Sequence, residues 1–153
     1  MSISGVLIDR GCIGAILNAE SPDHARARAI YANLLVGYEA RTKRLFALST
    51  VLADIPKPLR KAALGPVLVT RVTGQHRRAA ARIRTKGFDS ELALSLVMIK
   101  RERIRAVATL SHDYDTFDIE VLFAGSERPL DEMPAGNVSY GTEPQPVRQS
   151  TDG

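Results

Sequence analysis

Carboxylates recur in this 153-residue chain at places where a fold could gather them. Asp9 ends the apolar run Val6-Leu7-Ile8, and Asp54 follows Ser49-Thr50-Val51-Leu52-Ala53. Asp89 and Glu91 open the long apolar stretch from Leu92 to Ile99, whereas Asp113 and Asp115 come just after Ala106 to Leu110. Carboxylates crowded into one pocket repel one another and resist ionisation unless a cation neutralises them. Mg2+ or Mn2+ takes oxygen ligands of this kind, and in such a place would activate water and stabilise charge on a phosphodiester. The same acids also serve as helix caps, because a carboxylate at an N-cap accepts backbone N–H bonds.

The elements that must position these groups follow from the apolar pattern. Val6 to Ile8 is too short for a helix and suits a strand covered on both faces, the kind found in parallel sheets between helices. In open sheets of that type ligands bind beyond the carboxyl ends of the strands, where Asp9 falls. Further strands are expected at 44–48, 67–72, 106–110 and 119–123. Helices are expected over 11–18, from Ser21-Pro22-Asp23 to about Tyr38 or Arg41, over 49–54, 57–64 and 73–86, and from Asp89 or Ser90 to about Arg103. In the second helix Ala25, Ala29, Ala32, Leu35 and Val36 recur at helical spacing. Strands alternating with helices imply a parallel sheet with right-handed crossovers.

A hydrophobic content of 44% in a chain of this length suits one globular domain with a real core. The apolar runs are all too short to span a membrane, and the N-terminus lacks the layout of a signal peptide, so a cytoplasmic location is expected. One cysteine, Cys12, has no internal disulfide partner. Although the net charge is only +4, it is segregated: Arg71, Arg77, Arg78, Arg82, Arg84 and Lys86 crowd the middle, and Asp113, Asp115, Asp118 and Glu120 follow. Basic faces beside an acidic cluster suit a protein that holds phosphates electrostatically and does metal chemistry on them. The histidines, His24, His76 and His112, are expected to face solvent, and Tyr114 to pack against the core. From 125 onward Pro and Gly accumulate among polar residues, which reads as a disordered tail after a domain of residues 1–124.

The order Val6-Leu7-Ile8-Asp9, then Ser49-Thr50-Val51-Leu52-Ala53-Asp54, then Leu92-Ala93-Leu94-Ser95-Leu96 running to Ile104-Arg105-Ala106-Val107-Ala108-Thr109-Leu110, resembles a PIN domain, and within that family the VapC toxins of bacterial toxin–antitoxin pairs. The resemblance spans about Val6 to Phe123. It implies a single α/β domain with a central parallel sheet of about five strands flanked by helices. It also implies RNA cleavage with acidic residues and Mg2+ or Mn2+, a homodimer, and restraint by a cognate antitoxin.

Carried over by position, Asp9 matches the family's first aspartate, with Arg10 where Ser, Thr or Asn usually follows. Asp54 stands where glutamate is usual. Glu91 is the third acid, or Asp89 if the helix begins earlier. Ser111 takes the place of a common fourth aspartate, leaving Asp113 or Asp115. The resemblance thus implies Asp9, Asp54, Glu91 and Asp113 as catalytic metal ligands acting on RNA. Two other readings stay open: a degenerate PIN domain that only binds RNA or a protein, and a nucleotide- or phosphate-binding α/β module. The missing glycine-rich phosphate loop weighs against the last. Val51 and Leu52, read as exposed apolar residues, would suit a dimer or antitoxin contact.

Overall fold

The computed structural model describes residues 3–84 and 89–123. The expected tail from 125 and the helix end at Lys86 and Gly87 lie outside the described residues. Five parallel strands form one sheet in the order β3-β2-β1-β4-β5. They are β1 (Ser4–Ile8), β2 (Lys43–Leu48), β3 (Leu68–Thr70), β4 (Ala106–Thr109) and β5 (Glu120–Phe123). The helices are α1 (Arg10–Leu17), α2 (His24–Glu39), α3 (Ser49–Leu52), α4 (Lys57–Leu64), α5 (Gly74–Arg84) and α6 (Ser90–Arg101). This is the α/β architecture expected from the alternating pattern.

β1 sits at the centre because its side chains can be covered on both faces. Val6 and Leu7 are fully buried and Ile8 nearly so, each contributing about 1.5–3 kcal/mol of apolar burial. On one side Val6 and Leu7 pair with Leu45 and Phe46, and on the other Val6, Leu7 and Ile8 pair with Ala106, Val107 and Ala108. From β1 the chain winds outward through β2 and β3, then returns by way of α5 and α6 to lay β4 on the far side of β1. Strand order therefore reverses between β1 and β4, which places the ligand crevice of a parallel sheet at the carboxyl ends of those two strands. Asp9 and Thr109 stand there.

Several expectations need correction. The buried face of α2 is Ala27, Ile30, Tyr31 and Leu34, whereas Ala25, Ala29 and Ala32 are exposed and Val36 is 68% exposed. Offsets of three, four and seven from Ala27 pick out the large side chains, and burying them outweighs burying a stripe of alanine methyls. Val51 and Leu52 are buried, not exposed, because the single turn of α3 folds them beneath the sheet edge. The apolar side chains left to solvent include Leu59 on α4 and Leu68 and Val69 on the edge strand β3, which is shorter than its apolar run.

Helices α2 and α6 close in the same way. After α2 the Thr42 N–H donates to Gly37 O and the Arg41 N–H to Tyr38 O; after α6 Ile104 N–H donates to Ile99 O and Arg103 N–H to Lys100 O. Both are Schellman closures, whose turning residue must be left-handed. Here that residue is an arginine, Arg41 at φ 63° and Arg103 at φ 55°.

Candidate active site

Asp9 leaves β1 and caps α1 in the same step. Its backbone N–H donates to Ala108 O at 3.0 Å, extending the β1–β4 ladder, and its Oδ1 accepts the Cys12 N–H at 2.9 Å. Its other oxygen, Oδ2, accepts a hydrogen bond from Thr109 Oγ1 at 2.5 Å. Both the capping reading and the site reading of Asp9 are thus realised in one side chain. Burial pushes the Asp9 carboxyl above its ordinary range, against the Thr109 and Cys12 hydrogen bonds; the nearby charges of Glu91 and Asp113 push the same way as burial.

The loop after β4 is fixed by short hydroxyl contacts. Thr109 Oγ1 accepts the Ser111 N–H at 3.1 Å, and Ser111 Oγ accepts the Asp113 N–H at 3.1 Å. Such side-chain-to-backbone turns hold a loop without secondary structure. They carry Asp113 back toward Asp9 and bury Tyr114 beneath it. Asp115 instead accepts from His112 Nδ1 at 2.8 Å.

On the opposite flank, Asp89 is spent on capping: its Oδ1 accepts the Leu92 N–H at 2.9 Å. Glu91, in the first turn of α6, faces the crevice. Its Oε1 accepts from Arg10 Nε at 3.4 Å, and its Oε2 is shielded from solvent with no hydrogen-bond partner. Asp54 lies in the turn after α3 rather than on the helix, and its Oδ2 accepts from Arg10 Nη1 at 2.9 Å. Arg10 Nη2 donates to Thr50 O at 3.3 Å. The guanidinium therefore stands between two of the four expected acids, and the Asp54 bond, followed by the Glu91 charge, holds it protonated beyond even its usual range.

The structure thus brings Asp9, Asp54, Glu91 and Asp113 to one sheet edge, and Arg10 among them. Their chemistry suits a hard cation, being oxygen donors throughout, with one shielded oxygen left unpaired. With Arg10 engaged, however, no three acidic, histidine or cysteine side chains among the described residues converge closely enough to hold an ion. Sequence reasoning noted Arg10 only as a departure and missed Thr109. The signal for Thr109 was its place at the end of β4, opposite Asp9 across the crevice.

Beside the acids lies an open cleft of about 220 Å3 lined by Thr50, Arg77, Ala80, Arg84, Ser90 and Glu91, among others. The histidines stand apart from the acids or at their edge. Instead of facing solvent outright, His24 is partly buried and donates through Nδ1 to Ala15 O at 2.7 Å, joining α2 to α1. His76 Nδ1 accepts the Thr73 N–H at 3.0 Å at the start of α5.

No family model and no curated protein sequence matches the chain. Solved structures do. VapC20 of Mycobacterium tuberculosis, described as a Sarcin-Ricin loop cleaving toxin, superposes with a TM-score of 0.57 at 15% identity, covering 74% of this chain and 98% of that one. VapBC2 of Rickettsia felis, solved with a DNA fragment from its promoter, gives a TM-score of 0.56 at 12% identity, covering 76% and 96%. At identities this low the likeness concerns the path of the backbone: the chain has the PIN-like α/β fold of the VapC toxins.

Proposed function

We propose that the chain is a VapC-like ribonuclease that hydrolyses RNA phosphodiesters at the crevice between β1 and β4. One observation carries this reading: the central strand delivers a largely buried carboxylate, Asp9, to the strand-order switch point, with Glu91 and Asp113 close enough to disfavour its ionisation. That arrangement costs stability in the absence of a cation, so a site built this way implies one. Once Arg10 withdraws from Asp54 and Glu91, Asp9, Asp54, Glu91 and Asp113 would together hold Mg2+ or Mn2+. When bound, the ion supplies Lewis acidity toward the phosphodiester and a counter-charge for it. Thr109 and the first turn of α1 fix the Asp9 carboxylate in place, so its direction is set before any ligand arrives. A cognate antitoxin and a second copy of the chain are the proposed protein partners, with Leu59, Leu68 and Val69 as apolar surface for them to cover.

A second reading draws on Arg10. An arginine already neutralising Asp54 and Glu91 suits a degenerate domain that binds RNA without cutting it. Calorimetric titration with Mn2+, together with cleavage assays on structured and single-stranded RNAs, separates the two. The nuclease reading expects Mn2+ binding and Mn2+-dependent cleavage, both lost in Asp9→Asn. A wild type that neither binds Mn2+ nor cuts any RNA leaves the degenerate reading standing.

A further inference from the structure

The cleft between α5 and α6 joins the acidic edge through two shared residues. Thr50, whose carbonyl accepts from Arg10, and Glu91, whose carboxylate accepts from Arg10, both line it. Its far wall is α5, where Arg77 and Arg84 lie seven residues apart, two turns or about 10.5 Å along the helix. Between them Ala80 and Ala81 leave the wall low, so the guanidinium groups flank an open floor. Both arginines are exposed, and neither pairs with a carboxylate among the described residues. Of the residues that line it, Thr50 and Glu91 each carry a side-chain oxygen, Oγ1 and Oε2, that is shielded from solvent and has no hydrogen-bond partner. Two forked cations flanking a small floor match the acceptor oxygens of a phosphate, and guanidinium is suited to bidentate phosphate contact.

Glu91 is the obstacle, since a lone carboxylate would repel a phosphate. Arg10 offsets that charge in the free protein by sitting against Glu91, and a cation entering beside the strand would offset it once Arg10 has turned away. The Arg10 contacts are also weak enough to exchange: Arg10, Asp54 and Glu91 side chains are 45%, 70% and 36% exposed, and solvent screens exposed ion pairs of this kind.

We propose that this cleft is the phosphate-binding subsite for a single-stranded RNA backbone, and that Arg10 turns from Asp54 and Glu91 to the incoming phosphate. Strand entry then frees two carboxylates at the moment a cation is needed beside the scissile bond, coupling substrate binding to cation binding. This deepens the ribonuclease reading and rests on it for the second half alone. The phosphate subsite stands on Arg77 and Arg84 even if the acids hold no ion.

The test uses an uncleavable 2′-O-methyl RNA 12-mer, with binding followed by fluorescence anisotropy across a salt series without divalent cations. Arg77→Ala/Arg84→Ala should weaken binding at least tenfold and flatten the log–log salt slope by about 1.4, two phosphate contacts at about 0.7 each on a single strand. Arg71→Ala/Arg78→Ala removes the same charge elsewhere and should weaken binding less than threefold. Equal losses in the two double variants, or none in the first, overturn the subsite. Arg10→Ser should flatten the slope by a further contact's worth, about 0.7; an unchanged slope overturns the exchange of partners. In a separate Mn2+ titration, the 12-mer should tighten Mn2+ binding to the wild type and do so much less in Arg10→Ser, which binds Mn2+ more tightly on its own. Failure of every protein to bind Mn2+ sinks the ribonuclease reading, while the anisotropy series still decides the subsite.

Discussion

Thr109 Oγ1 lies 2.5 Å from Asp9 Oδ2 across the seam where β4 meets β1, joining residues one hundred positions apart in the chain. Thr109 is fully buried and its hydroxyl also accepts the Ser111 N–H, so one small side chain ties together the carboxylate and the loop carrying Asp113. Thr109→Val keeps the shape and removes both bonds. It should cost about 2 kcal/mol, within the range for leaving buried partners unsatisfied. It should also raise the Asp9 pKa further, since the lost hydrogen bond is the one that most opposes burial. Urea unfolding of Thr109→Val beside Thr109→Ser checks this: the serine variant should retain most of the stability, and two equally destabilised variants would point to packing instead.

Asp9 has a consequence for stability against pH. Its folded pKa lies above the unfolded value, so between the two the native state binds more protons, and stability falls as pH rises through the folded pKa. Asp9→Asn lacks this loss, while its amide oxygen can still accept the Cys12 N–H. Without metal the variant should therefore melt higher than wild type at pH 7, and the gap should close as the pH is lowered past the Asp9 pKa. Thermal melts from pH 4 to 8 read this directly; a lower-melting Asp9→Asn at pH 7 would show that the charged carboxylate is satisfied without a cation.

The left-handed arginines offer a gain. A non-glycine residue in that conformation costs about 1–2 kcal/mol, and glycine's extra chain entropy costs back about half of that. Arg41→Gly and Arg103→Gly should each stabilise by about 0.5–1 kcal/mol, and since both side chains are exposed and the sites lie at different helix ends, the effects should add. Chemical denaturation of the two single variants and the double would measure it.

Cys12 is 1% exposed, and burial, aided by the Asp9 charge, pushes its thiol up and away from the reactive thiolate. Ellman's reagent at pH 8 should therefore label the native protein only at the rate of opening, with complete labelling in denaturant. Fast native labelling would mean that the first turn of α1 opens without global unfolding.

What could be read before folding was whatever depends on neighbours in sequence. The apolar runs announced β1 and β4, and Asp9 and Asp89 announced helix starts, because a strand's burial and a cap's bond are settled within a few residues. Local patterns failed where size or distance decides. Alanines at helical spacing in α2 looked like a core face, yet Ile30, Tyr31 and Leu34 bury far more surface. Val51 and Leu52 looked exposed because nothing nearby shows that the sheet edge closes over them. Arg10 was legible as a residue out of place, but its reach to Asp54 and Glu91 depends on three chain segments meeting.

The strand order has a consequence in time. β1 is made first and stands in the middle, but β4, which flanks it and brings Thr109 to Asp9, follows about a hundred residues later. At a synthesis rate of about 5–20 residues per second, that interval is about 5–20 s, and parallel pairings of such long range are among the slow steps of folding. A nascent chain halted anywhere before Thr109 carries the first aspartate with no partner across the crevice. The acidic edge therefore assembles only once nearly all of the sheet is in place, and a truncated product of translation lacks it.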